Sequence, residues 1–176
     1  MLFQVFRNEA ETLVDLFCKQ LQSRKKTHRL TTTLLRRSTM QYTNKQFVSI
    51  LNGFGYKSKT SADGPNFPVS NDDSSLTDTV TVEAVKKLQK EYKLTVDGVV
   101  GPKTMAKAEE VMKILQNELN VVVNAGLPNN QPFYGPQTTA AVKKFQAKIK
   151  ATQNGVASQP IRQELYKQFQ NASAGC

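Results

Sequence analysis

One phrase occurs twice in this chain, 57 residues apart (84 to 141). Ala84-Val85-Lys86-Lys87-Leu88-Gln89 returns as Ala141-Val142-Lys143-Lys144-Phe145-Gln146. Each copy runs on to an acidic or amide residue followed by glycine, Asp97-Gly98 and then Asn154-Gly155. Nine of the sixteen positions are identical between Ala84–Val99 and Ala141–Val156. A repeat on this scale is a duplicated helical unit in which neither copy has to bury its apolar face alone.

The apolar spacing places helices around that repeat. Thr43 with Gln46 forms a capping pair, and Phe47, Ile50, Leu51 and Phe54 line one face of a short helix closed by Gly53 and Gly55. Residues 57–78 lack periodicity and are rich in Ser, Asp, Asn, Pro and Gly, which predicts a long surface loop. A helix starting near Thr79 carries Val85, Leu88 and Tyr92 inward and stops before Asp97-Gly98. Gly101-Pro102 opens the next helix, with Met105, Ala108, Met112, Leu115 and Leu119 as its buried stripe. A loop is expected from Asn120 to Tyr134. Gly135-Pro136 then opens a helix burying Val142, Phe145 and Ile149, and a last helix from about Pro160 buries Ile161, Leu165 and Phe169. Asp97, Gly98, Asn154 and Gly155 read as turn formers: the polar side chain bonds the turn backbone and glycine accepts positive φ.

Residues 1–40 carry eight Lys/Arg against three Asp/Glu, half of the net charge of +10 in less than a quarter of the chain. Asn8 and Glu11 form a capping pair, and Ala10, Leu13, Phe17 and Leu21 mark an amphipathic helix over 8–22. Arg24, Lys25, Lys26, Arg29, Arg36 and Arg37 follow as a basic run able to meet phosphate or an acidic partner surface. No aromatic residue interrupts the run to stack on bases, so a solvated linker is the plainer reading and nucleic acid the weaker one. Met40, where the better-patterned stretch begins, is a candidate natural start.

Catalysis has few candidates. The single histidine, His28, stands in the basic run, and a Cys18–His28 pair has no orienting group beside it. There is no paired-carboxylate pattern, no phosphate loop and no Cys/His spacing for zinc, so no enzyme activity, cofactor or metal is expected. Cys18 and Cys176 suggest no disulfide framework. No apolar run approaches the roughly 20 residues of a membrane span, and the N-terminus lacks the charge order of a secretory signal. The expected location is cytoplasmic, or at the cell envelope if the chain is exported by another route.

The pattern resembles the peptidoglycan-binding domain family of small three-helix modules. The resemblance lies in Ala84 to Gln89 with Asp97-Gly98-Val99-Val100-Gly101-Pro102-Lys103-Thr104, and again in Phe133-Tyr134-Gly135-Pro136-Gln137-Thr138 with Ala141 to Gln146. It covers roughly residues 40–170 and departs from the family pattern in two places. The first loop has Asp63-Gly64 followed by an insertion, and the second turn, Asn154-Gly155-Val156-Ala157-Ser158, lacks both the aspartate and the Gly-Pro pair. The resemblance implies an all-α fold of two fused three-helix modules sharing a central helix, beside an N-terminal helical arm. The corresponding boundaries are 1–39 for the arm, 40–110 and 111–170 for the modules, and 171–176 for a frayed tail.

The implied function is non-catalytic binding of cell-wall glycan or peptide. The alternative is an intracellular protein-interaction or scaffold subunit that has reused the fold, since one fold serves many sites. Sugar recognition needs an aromatic face and nearby amide or carboxylate groups. Asn129, Asn130, Gln131, Phe133 and Tyr134 supply that mixture in one loop, and Tyr56, Asp63 and Asn66 in the other. Against this, Tyr56 and Phe133 are equally suited to anchoring their loops in the core.

Overall fold

The computed structural model describes residues 41–60, 63–128 and 130–174. The helix expected over 8–22, Cys18, the basic run Arg24, Lys25, Lys26, Arg29, Arg36 and Arg37, His28, Met40, Asn129 and Cys176 lie outside those residues. One compact unit spans Ser38–Gln170. The described residues form five helices and no strand: α1 Asn44–Gly53, α2 Thr79–Glu91, α3 Pro102–Val123, α4 Pro136–Lys148 and α5 Gln159–Ala174. α1 packs on α2 and α3 packs on α4. The fold of the described residues is all-α.

Local chemistry sets the helix starts. Thr43 and Gln46 form the reciprocal capping box at α1. At α2, Asp78 accepts a bond from Thr81 N at 2.9 Å, and the Thr81 hydroxyl first and then this N–H hold its carboxyl below the usual range. α3 and α4 begin with Gly-Pro, proline occupying a position whose N–H no helix could use. α2 and α4 are each 13 residues long and start 57 residues apart (79 to 136), as α3 and α5 do (102 to 159).

Two expectations change. α3 continues to Val123, past the loop start expected at Asn120. Val121-Val122-Val123 is a β-branched run of modest helix propensity, but Val123 is buried and Val122 packs against the core, and burial overrides propensity. Asn124, at φ 49°, ends the helix in a left-handed turn. At the other end α5 remains helical to Ala174, where a frayed tail from 171 was expected.

One apolar core runs from Tyr42 to Leu165, built on Phe47, Leu88, Met112, Leu119, Phe145 and Tyr134. Ile161 and Phe169, expected inside, are only half-buried. Tyr134 ties the two halves together. Its ring lies edge-on to Phe54 at 6.2 Å between centroids. Its hydroxyl donates to Gly155 O at 2.8 Å and accepts from Ala157 N at 3.3 Å. The ring also occupies the space a Cβ on Gly53 would need. Ala157 N completes the join by donating to Gly53 O at 2.7 Å.

The loop over 57–78 is aperiodic as expected, but it is fastened to α1. Asn52 Nδ2 donates to Pro68 O at 3.1 Å, Ser70 N donates to Ser49 Oγ at 2.8 Å, and Lys45 N donates to Asp73 Oδ1 at 2.9 Å.

Candidate functional site

Three buried glutamines organise the corners between helices. At the end of α2, Gln89 Oε1 accepts from Gly98 N at 2.9 Å. Its Nε2 donates to Asp97 Oδ1 at 2.7 Å, Val99 O at 3.0 Å and Thr104 Oγ1 at 3.2 Å. Asp97 Oδ1 also takes Val99 N at 2.8 Å. Those donors, Val99 N first and then Gln89, hold the Asp97 carboxyl below the usual range. Gly98, at φ 75°, makes the turn that a side chain would strain.

The same corner recurs after α4. Gln146 Oε1 accepts from Gly155 N at 2.9 Å, and Nε2 donates to Asn154 Oδ1 at 2.8 Å and Val156 O at 3.0 Å. Asn154 serves as well as aspartate because only one acceptor oxygen is used. Ile161 stands where the first corner has Thr104, so the hydroxyl contact is missing.

The third corner is built on Gln116 of α3. Its Nε2 donates to Gln131 O at 3.0 Å and lies 3.4 Å from Phe133 O and 3.3 Å from Thr138 Oγ1. Thr138 in turn donates to Phe133 O at 3.3 Å, as Thr104 does to Val99 O at 3.2 Å. Pro132 precedes Gly135 by three residues, as Gly98 precedes Gly101. Proline has no N–H to give, and Gln116 Oε1 is buried without a hydrogen-bond partner.

Among the described residues, a loop cleft and a helix cleft open on this frame. The loop cleft, of about 400 Å³, is bounded by Gln116, Leu127, Gln131, Phe133, Pro136 and Thr138. Its loop is braced by Asn120, whose Oδ1 accepts from Leu127 N at 2.7 Å and whose Nδ2 donates to Leu127 O at 2.9 Å. The half-buried Phe133 ring crosses Gly135 so closely that a Cβ there would come within 2.6 Å of it.

The helix cleft, of about 370 Å³, lies among α2, α3 and α5 and is lined by Phe54, Glu91, Ile114, Glu118, Arg162 and Tyr166 among others. Arg162 is its hub. Nη1 donates to Phe54 O at 3.1 Å and Ala157 O at 2.7 Å, and Nη2 pairs with Glu91 Oε1 at 2.6 Å. The guanidinium stands 4.7 Å from the Phe54 ring centroid. Tyr56 OH donates to the other Glu91 oxygen at 2.8 Å. Burial pushes the Glu118 carboxyl up to about 7, against the lowering pull of the Arg162 charge.

The segment holding α1, α2, the first glutamine corner and the opening of α3 matches a known family. Residues 45–107 match the model described as "Putative peptidoglycan binding domain". Over those residues the chain is similar to that family. No curated protein and no solved structure matches the chain.

Within and beyond the matched segment, the residues singled out for ligand contact separate. Gln131 and Phe133 meet in the loop cleft, and exposed Asn130 adjoins them in sequence. Tyr134, next in sequence, turns the opposite way. At 1% exposure no face of its ring is open, and it acts as an anchor. Tyr56 is buried too, its hydroxyl committed to Glu91. Asp63 closes its own turn by accepting from Thr60 N at 2.7 Å and Thr60 Oγ1 at 2.9 Å, while Asn66 is exposed. Neither Asp63 nor Asn66 lines either cleft.

Sequence reasoning missed Gln116, Glu118 and Arg162. The pairing of Gly101-Pro102-Lys103-Thr104 with Gly135-Pro136-Gln137-Thr138 sets a 34-residue relation (101 to 135) that finds Thr138, but it carries Gln89 to Val123 (89 to 123) and so gives no signal for Gln116. Glu118 and Arg162 carry no local signal, since three helices assemble their cleft. Among the described residues, no group of three or more His, Cys, Asp or Glu could hold a metal, and no helix is long and apolar enough to cross a membrane.

Proposed function

We propose that this chain holds peptidoglycan without cleaving it, that α3–α4–α5 is a degenerate second copy of the peptidoglycan-binding module, and that the loop cleft receives the glycan. The observation that carries the reading is the family match over 45–107, whose Gln-Asp-Gly corner recurs around Gln146 without the threonine contact. In the loop cleft the Phe133 ring offers a surface to the apolar face of a sugar. The amides of Gln131 and Gln137, with Asn130 beside them, offer donors and acceptors to its hydroxyl and acetamido groups. The place of action on this reading is the cell envelope.

The test is co-sedimentation of the full chain with purified sacculi, for the unaltered protein and for Phe133→Ala and Gln131→Ala. Retention that falls about tenfold in Phe133→Ala, the loss of a buried aromatic contact, supports the loop cleft. Retention unchanged in both variants rejects that cleft as the site. No retention of the unaltered chain rejects wall binding altogether.

A further inference from the structure

Glu118 is the buried charge that nothing in the corners or the core explains. It lies in the C-terminal half of α3, is 6% exposed and lines the helix cleft. Its ionised form gains no hydrogen bond from the described residues; the charge acting on it is that of Arg162. Arg162 is already committed to Phe54 O, Ala157 O and Glu91. Burying a carboxylate without a partner is costly, so a buried acid left open to a cleft calls for a ligand that completes it.

The surroundings describe that ligand. Glu91 and Glu118 face one Arg162, leaving the cleft one negative charge in excess on a chain of net charge +10. The walls are apolar, and two large side chains that solvent would not favour stand at the rim: Ile114, 49% exposed, and Tyr166, 54% exposed. Phe54 and Tyr92 add aromatic surface, which attracts a cation as well as covering methylenes. Apolar walls leading to one unpaired carboxylate suit a positive charge on a flexible aliphatic stem.

We propose that the helix cleft binds a primary alkylammonium on an aliphatic stem, the side chain of a lysine in a short peptide. Glu118 receives the ammonium, while Ile114 and Tyr166 cover the stem. Glu91 stays with Arg162 and Tyr56, so Glu118 provides the free charge. This reading does not rest on glycan binding in the loop cleft. The two sites are separate, and either stands if the other fails.

The experiment titrates the full chain with three small probes by NMR: Nα-acetyl-lysine N-methylamide, its Nε-acetylated form and the norleucine equivalent. Saturating shifts at Ile114 and Tyr166 are expected with the first probe, and binding about tenfold weaker with the other two, the loss of one charge-assisted hydrogen bond. E118Q should bind the free amine about tenfold more weakly than the unaltered chain while keeping its fold by circular dichroism. Binding should tighten from pH 6 to pH 8 as Glu118 ionises. Glu91, Arg162, Tyr92 and Tyr166 also face the site, so the same titration in E118Q, expected to be flat, assigns the dependence to Glu118. Equal binding of lysine and norleucine probes would reduce the cleft to an apolar groove and overturn the proposal. So would the absence of any saturable shift. Sacculus retention reports on the loop cleft alone, so failure of one reading is told apart from failure of the other.

Discussion

Pro132 stands in the third corner where Gly98 and Gly155 stand in the other two, and Gln116 Oε1 is left without the N–H that Gln89 and Gln146 receive. Replacing each glutamine with methionine, close in shape, separates the three corners. Gln89→Met and Gln146→Met strand a buried glycine N–H and several acceptors, for an expected loss of about 2–3 kcal/mol each. Gln116→Met removes weaker bonds together with an acceptor that already lacks a donor, for a loss of about 1 kcal/mol. Urea midpoints at equal slope measure the ordering. Equal losses at Gln89 and Gln116 would mean the third corner is as well satisfied as the first.

Gly53→Ala drives a methyl group into the buried Tyr134 ring, which cannot withdraw without giving up its bond to Gly155 O. The expected cost is about 3 kcal/mol, at the upper end for overpacking. Pairing it with Tyr134→Leu in a double-mutant cycle should recover part of that loss, and strictly additive losses would show that the two positions do not touch.

Asp97 and Glu118 predict opposite slopes of stability against pH. The folded Asp97 carboxyl is held below its ordinary value, so its contribution is present above the usual aspartate range and is lost as pH falls through it. Glu118 is pushed up to about 7 from 4.5, so the folded chain binds its proton more tightly than the unfolded chain does. Stability therefore declines as pH rises from 4.5 to about 7 and then levels. Chemical denaturation across pH 3–9 should show Asp97→Asn flattening the acid limb and E118Q flattening the neutral one. A neutral limb that persists in E118Q would assign it to another group.

Arg162→Lys keeps the charge but loses the fork that reaches Phe54 O, Ala157 O and Glu91 together. A lysine satisfies one of these at a time, and a loss of about 2 kcal/mol is expected. Thermal melts measure it. A shift no larger than that of the exposed pair variant Lys86→Ala would reduce Arg162 to a surface ion pair.

What was legible in the sequence was what neighbouring residues decide. The capping box of Thr43 and Gln46, the Gly-Pro starts of α3 and α4, and the turn-forming roles of Asp97-Gly98 and Asn154-Gly155 depend on chemistry within a few residues, and each stands in the structure. The end of α3 was not legible, because Val121–Val123 is a poor helix former in isolation and only the packing of Val122 and Val123 makes it helical. Phe133 and Tyr134 are adjacent aromatics in one loop, yet one lines a cleft and the other fills the core. That choice depends on the missing Cβ at Gly53, 81 residues away (53 to 134). The helix cleft had no counterpart in the sequence reading, since Glu91, Glu118 and Arg162 follow no spacing and meet only once three helices pack.

The family match stops at residue 107, while α3 runs on to Val123 without a break. A fragment cut at that point would lose Val111, Met112, Leu115 and Leu119, four ribs of the wall against which its own core closes. The stretch that carries the family signature is thus shorter than the stretch whose side chains form the core. A second half with an altered turn still serves as the buttress of the first.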